Sequence, residues 1–415
     1  MQEEGLNIKQ YSLGSISSRT RGDKVIWAIV VLLTMMSLLA VYSSTGTLAY
    51  KLSKSTESYL FKQIMFIAAG VAIIYFAHLM NYTIYSKVAQ ILFIVSIPLL
   101  MYTLLFGTNL NDASRWIKLP IINLTFQTSD LAKLGLFMYL SRQLSKRQDT
   151  IKEFKAGFLP VILPVLLICA LIAPANLSTA LLTGATSIFL LFIGRASVRH
   201  IGLVVLLAAI PVVMLIACAK IYHNEETGKS DPLPKMLTKG RIETWINRTQ
   251  DFMYSDKKES SYQVQQAKIA IAKGSWVGMG PGNSQARNFL PHPYSDFIYA
   301  IIIEEYGLMG GAAMLLIYLL FLYRCIRIMR KCPYAFGAFL SLALGFTLVI
   351  QALANMAVNV NLFPVTGVTL PLVSMGGSSF LFTCLSIGII LSVARNVEKL
   401  EGEIQPAVQK EGGVQ

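Results

Sequence analysis

Several ionisable residues stand in stretches that are otherwise apolar, where a charge is costly unless it is paired, hydrated or used in chemistry. Asp130 and Lys133, in Thr128-Ser129-Asp130-Leu131-Ala132-Lys133, are three residues apart and share one helical face. Read structurally, Thr128 or Ser129 caps a helix whose first turn holds Asp130 with Lys133 as its partner. Read chemically, they offer a carboxylate beside an ammonium. Glu304 and Glu305 lie two turns inside a later apolar run, where a structural ion pair and a supporting role in catalysis fit equally. Asp296 follows Pro291-His292-Pro293, so two prolines restrict the chain that delivers it to the mouth of that run. It can cap the helix or act on a substrate.

Two further groups could hold an anion. Arg115 stands beside Trp116, and a guanidinium fork pairs naturally with phosphate; anchoring at a membrane interface is the alternative. Gly376-Gly377-Ser378-Ser379 precedes an apolar run, so main-chain N–H groups and the positive end of a helix dipole can seat a phosphate there. N-capping with close helix packing is the structural reading. Together, Arg115, Lys133, Asp296 and this helix start suit a lipid substrate that bears a pyrophosphate.

The elements that must position these groups are membrane spans. The 415 residues are 54% hydrophobic and only 14% charged, against about 25% charged in soluble domains, so a soluble fold is excluded. The formal charge of +14 accompanies a mean hydropathy of +0.56, which points to a membrane and away from nucleic acid. Ten runs approach the ~20 residues a crossing helix needs: 25–43, 60–80, 88–106, 128–144, 158–174, 177–194, 201–220, 296–323, 334–358 and 378–396. The expected fold is an all-α polytopic membrane protein of ten helices. Pro174-Ala175-Asn176 is short enough to make spans five and six a hairpin. With the N-terminus inside, the cytoplasmic connections hold fifteen Lys and Arg and the short outer ones four, so both termini are expected in the cytoplasm.

Residues 1–24 form a polar tail and 25–397 the membrane domain, while 398–415 read as a disordered tail. Within the domain, 221–295 is a large outer loop between spans seven and eight, where Val264, Ala267 and Ile271 mark a short helix. Residues 355–379 are too apolar for a solvated loop and too rich in Pro and Gly for a helix, which predicts a re-entrant or tightly folded segment. Five cysteines without metal-ligand spacing argue against disulfides and zinc.

Five ordered blocks resemble the SEDS family (shape, elongation, division and sporulation) of bacterial lipid II polymerases. They are Ser114-Arg115-Trp116-Ile117, Phe126-Gln127-x-Ser129-x-Leu131-x-Lys133, Gly278-x-Gly280-x-Gly282-Asn283-Ser284, Asp296 through Glu304-Glu305-x-Gly307, and Pro364-x-x-Gly367-x-x-Leu370-Pro371 with Gly376–Ser379. The match spans about residues 25–397 and leans toward the division branch over the elongation branch. The resemblance implies ten spans and glycosyl transfer outside the cytoplasmic membrane, at the division septum, with release of undecaprenyl pyrophosphate. It places the essential aspartate on Asp296 and the important cations on Arg115 and Lys133, with Gln127, Ser129, Gly376, Gly377, Ser378 and Ser379 around the substrate and Asp130, Glu304 and Glu305 in support. Implied partners are lipid II, a class B penicillin-binding protein and other divisome membrane proteins. Mg2+ could assist at the pyrophosphate, but no carboxylate cluster names its ligands.

The chain departs from the family pattern in having Asp130, Asn176 and His292 where relatives often carry Glu, Asp and Glu, which argues against a catalytic carboxylate at 176 or 292. The rival reading is a carrier that flips the lipid-linked precursor. If Arg115 grips pyrophosphate as a fork, Arg115→Lys is expected to slow polymerisation by purified protein while leaving expression unchanged, because a point charge does not reproduce bidentate geometry; wild-type rates would contradict that role.

Overall fold

A computed structural model describes residues 22–51, 56–110, 113–118, 125–222, 242–254, 262–291 and 293–411. Ten helices follow the apolar runs: α1 (Lys24–Lys51), α2 (Thr56–Leu79), α3 (Tyr82–Phe106), α4 (Thr128–Lys146), α5 (Leu159–Ile172), α6 (Leu177–Ile193) and α7 (Val198–Ile221), then α10 (Ile298–Lys331), α11 (Ala335–Asn359) and α12 (Ser378–Glu411). Two shorter helices, α8 (Ile242–Met253) and α9 (Tyr262–Gly274), lie between α7 and α10. Among the described residues, eight of the ten are long and apolar enough to cross a membrane, α5 when the π-helical turn Phe154–Phe158 before it is included, and α6 is a shorter apolar helix. The chain is a multi-pass membrane protein.

The tenth, α4, carries Asp130, Lys133, Arg142 and Lys146. Such a helix is tolerated only where neighbours cover its polar groups. It is accordingly packed between α3 and α11, with Asp130, Leu136, Phe137 and Leu140 among its buried residues. At the other extreme, α7 buries only Ile201 and Ala219, and its apolar surface is that of a lipid-facing span. Asn176 caps α6 by accepting from the Thr179 N–H at 3.3 Å, so the α5–α6 hairpin closes as its short join predicted.

Three features differ from the sequence expectation or extend it. The connection between α3 and α4 contains an antiparallel sheet of β1 (Thr108–Leu110), β2 (Ala113–Lys118) and β3 (Thr125–Gln127), in which Trp116 pairs with Gln127. Strands this short have no recognisable period. The tail expected to be disordered from Glu398 instead continues α12 to Glu411, through good helix formers such as Lys399, Leu400 and Glu401. The short helix expected around Val264 and Ala267 exists as α9, and it buries those residues against the start of α10.

The residues just before α1 are tied to α10 and α12: the Gly22 N–H donates to Glu398 Oε2 at 2.7 Å and Asp23 pairs with Arg324 at 2.5 Å. The segment between α11 and α12 folds back into the bundle: Tyr318 Oη donates to the Pro371 carbonyl at 2.5 Å and Ser37 Oγ to that of Val373 at 2.8 Å. The folded segment that composition predicted over 355–379 is thus confined to 360–377, since Asn355–Asn359 continue α11 and Ser378 begins α12.

Helix α10 is broken at Gly307, whose φ is +70°. The loop after α9 takes up the groups released by the break. Met279 N–H donates to Glu304 O at 2.9 Å and Gly280 N–H to Glu305 O at 3.0 Å, while Leu308 N–H donates to Ser275 O at 2.9 Å. A Cβ on Gly307 would lie 2.3 Å from the Trp276 carbonyl oxygen, and one on Gly278 2.2 Å from that of Glu305. Gly307→Ala is therefore expected to melt well below wild type in detergent, combining a positive-φ conformation that is essentially glycine's alone and costs about 1–3 kcal/mol with a main-chain clash. Gly202→Ala, with open space around its Cβ, should not. Equal melting of the two variants would contradict this reading of the kink.

Candidate active site

Two polar centres lie in the bundle. The first joins the starts of α4 and α12. Lys133 Nζ is 2.7 Å from Asp130 Oδ1 and 3.5 Å from Gln351 Oε1. The other Asp130 oxygen accepts the Ser379 hydroxyl, for which Gln127 Oε1 is an alternative acceptor at 3.2 Å. Gln127 donates its side-chain amide to Ser129 Oγ at 3.0 Å and its main-chain N–H to Ser378 Oγ at 3.1 Å. Six residues singled out in the sequence, Gln127, Ser129, Asp130, Lys133, Ser378 and Ser379, thus form one network. The α4 cap is Gln127, without a side-chain capping bond, so neither Thr128 nor Ser129 caps the helix. The two α12 serines hold the α4–α12 junction together through Gln127 and Asp130.

A small cavity of about 30 Å³ lies beside this network, lined by Asp130, Lys133, Gln351 and Ser379 and by the hydroxyls of Thr347, Thr383 and Ser386. Each of those three hydroxyls donates to a carbonyl of its own helix, so what they offer the cavity is acceptor lone pairs. Lys133 is the cation in that setting, and a phosphate reaching it would share it with Asp130.

The second centre is Asp296. The α10 cap is Phe297, so Asp296 does not hold the capping position that its residue type suits. Its main-chain carbonyl accepts from Asn355 Nδ2 at 2.9 Å and from Asn359 Nδ2 at 3.0 Å, and its carboxylate accepts from Ser295 Oγ at 3.1 Å. Arg248, on α8, donates to the Val365 carbonyl at 3.1 Å. Burial lowers the Arg248 pKa, while the negative charges of Asp296 and Asp251 hold it up. Burial raises the Tyr294 pKa, and Tyr59 and Asp296 push it further in the same direction. Asp296 therefore lies in the field of an arginine and a tyrosine.

Helix α11 connects the centres. Gln351, Asn355 and Asn359 follow at four-residue intervals on one face. Gln351 meets Lys133 and donates to the Thr369 carbonyl at 3.1 Å, Asn355 reaches Val368 and Asp296, and Asn359 reaches Asp296. The ladder rises about 12 Å from Gln351 to Asn359 at 1.5 Å per residue. Asp296 and Lys133 are thus held by the same face of α11, Asp296 through Asn355 and Asn359 and Lys133 through Gln351.

Glu304 and Glu305 are held by hydrogen bonds and not by the ion pair to another span that their position suggested. Glu304, fully buried, accepts from the main-chain N–H groups of Gln285 and Ala286 at 3.1 and 3.2 Å and from Ser284 Oγ. Glu305 accepts from Ser43 Oγ, while Arg287 donates to the Ser43 carbonyl at 3.0 Å. Arg115 is carried by β2, one residue before the Trp116 that pairs with Gln127, but its side chain lies outside those described, as does His292. Among the described residues, no three His, Cys, Asp or Glu side chains gather to hold a metal ion, and Asp130 is already engaged by Lys133.

Sequence reasoning passed over Arg248 and the α11 ladder. The four-residue spacing of Gln351, Asn355 and Asn359 inside an apolar span was a usable signal, as was the helical spacing of Ile242, Trp245, Ile246 and Thr249 around Arg248. Removing Lys133 alone leaves a buried carboxylate uncompensated, so Lys133→Ala is expected to lose about 3–5 kcal/mol. The pair Asp130→Leu with Lys133→Met should recover most of that loss in detergent melting. Failure of the double variant to exceed the single one would show that the ion pair does not govern stability here.

Comparison with known proteins agrees with this architecture. A family model described as cell cycle protein, FtsW/RodA/SpoVE, matches residues 23–399. The probable peptidoglycan glycosyltransferase FtsW of Geobacter sp. (strain M18) is 31% identical over 376 residues, 90% of this chain and 96% of that protein. Stage V sporulation protein E of Bacillus subtilis (strain 168) is 29% identical over 388 residues, 91% of this chain and 98% of that one. Among solved structures, a chain from work described as structural coordination of polymerization and crosslinking by a peptidoglycan synthase complex has a TM-score of 0.69 at 22% identity, covering 91% of this chain and 98% of its own. The rod shape determining protein RodA of Thermus thermophilus has a TM-score of 0.62 at 20% identity, covering 90% and 97%. These two structures share the fold. With a family model matched across nearly all its spans, the chain belongs to the FtsW/RodA/SpoVE family of cell cycle proteins.

Proposed function

We propose that this protein is a glycosyltransferase that joins lipid II disaccharides into glycan strands at the outer face of the cytoplasmic membrane. The observation that carries the reading is Asp296, whose main chain is fixed by two buried asparagines of α11, the helix whose Gln351 meets Lys133. The relatives named as probable peptidoglycan glycosyltransferases support the same chemistry.

In the reaction, Asp296 acts as general base. It takes the proton of the acceptor sugar's hydroxyl as that oxygen forms a bond to the anomeric carbon of the lipid-linked donor. The bond from that carbon to the pyrophosphate oxygen breaks, and its electron pair leaves with undecaprenyl pyrophosphate. Lys133, partly neutralised by Asp130, and Arg115 on β2 stabilise the growing negative charge.

The Lys and Arg asymmetry of the short connections supports cytoplasmic termini, which puts Asp296 outside. Relatives named FtsW support a role at the division septum, among other divisome membrane proteins. The solved relative from a complex described as coordinating polymerization and crosslinking supports a class B penicillin-binding protein as partner. Asp296→Asn keeps the main-chain carbonyl through which the residue is anchored, so folding should survive. Glycan formation from lipid II should fall to no more than roughly a hundredth of wild type, the low end of what a general base contributes. Normal polymerisation by Asp296→Asn would remove Asp296 as the base.

A further inference from the structure

The carboxamides of Asn355 and Asn359 are each 1% exposed, and burying such groups in a span is unfavourable unless every bond is made. Here they are made around one short stretch of chain. Asn355 Nδ2 donates to the Asp296 carbonyl at 2.9 Å and to the Val368 carbonyl at 2.7 Å. Asn359 Nδ2 donates to the Asp296 carbonyl at 3.0 Å and to the Asn355 carbonyl at 2.8 Å. Its Oδ1 accepts from Ala300 N–H at 3.0 Å, which ties the first turn of α10 to the same side chain.

The two preceding carbonyls are held as well. That of Ser295 accepts from Ser374 Oγ at 2.6 Å, and that of Tyr294 from the Met375 N–H at 3.0 Å. Three consecutive carbonyls, 294 to 296, are therefore held from inside the bundle, by α11 and the 370–375 segment. Apolar residues at 355 and 359 would pack an apolar bundle without any desolvation cost, so packing alone does not account for two asparagines. Their donors meet at the main chain of the residue that carries the carboxylate.

We propose that Asn355 and Asn359 are positioning residues for the reaction: they act through Asp296, fixing where its carboxylate stands, and do not touch substrate. This rests on Asp296 being the general base. A misplacement of about 1 Å at a reacting group can cost on the order of a hundredfold in rate. Loss of either asparagine should therefore lower kcat and leave KM for lipid II nearly unchanged.

The test is a double-mutant cycle in full-length protein with lipid II as substrate. Asn359→Ala and Asn355→Ala are each expected to lower kcat about ten- to a hundredfold with KM within about twofold of wild type. Added to Asp296→Asn and read as residual glycan over long incubations, each should cause less than about a further twofold loss, because the group it positions is already gone. A purely structural role would produce the same loss in both backgrounds. Asn355→Ser, which keeps a hydroxyl donor, carries the same cycle if an alanine variant does not accumulate as folded protein. Wild-type turnover by Asp296→Asn would remove the general base and this role with it. Loss in Asp296→Asn with wild-type kcat in the folded asparagine variants, or equal losses in both backgrounds, would overturn the positioning role alone.

Discussion

Inside an apolar bundle a polar group finds a partner or costs several kcal/mol, and this constraint shapes the protein from Asp130 to Asp296. Asp130 and Lys133 could not sit on α4 without each other, and their pairing draws Ser379, Gln127 and Gln351 into the same network. The α4–α12 junction and the adjacent face of α11 are set by that network. The same face, carried upward by Asn355 and Asn359, secures Asp296. The parts that would meet substrate are thus fixed by groups whose desolvation leaves no other arrangement.

The kink at Gly307 obeys the same constraint. Breaking α10 exposes carbonyls at Glu304 and Glu305 and an N–H at Leu308, all of which bond to the 275–280 loop. The two glutamate side chains secure Ser284–Ala286 and Ser43. The loop that leads to Asp296 is therefore attached to the helix that follows it, and Asp296 enters α10 from a fixed direction. Rigidity on both sides of one carboxylate is what a general base requires.

Much of this was legible in the sequence. Apolar runs located all ten long helices, eight of them long and apolar enough to cross a membrane, because a hydrocarbon slab demands a similar length and composition of every crossing helix. Asp130 and Lys133 were recognisable because ionisable residues at membrane depth need a reason to be there, and Ser379 because it belongs to a Gly-Gly-Ser-Ser helix start. Their exact roles were less legible. Asp296 suits an N-cap by residue type, yet the cap is Phe297, since the anchoring of its carbonyl by α11 sets where the helix begins. The sheet of β1 to β3 is too short to show a period, and α8 is a polar amphipathic helix inside a long loop, where no hydrocarbon boundary marks its ends. Arg248 came to Asp296 through tertiary packing, which neighbours in sequence do not encode.

Catalysis and transport both call for a polytopic bundle with paired charges, and they part at the fate of the lipid. Wild-type protein reconstituted in vesicles with lipid II, with and without a class B penicillin-binding protein, should be followed for glycan, for released undecaprenyl pyrophosphate and for movement of lipid II across the bilayer. Glycan growth with one undecaprenyl pyrophosphate released per new glycosidic bond is the expected result. Transfer of intact lipid II between leaflets with no glycan formed would contradict the polymerase and establish a carrier.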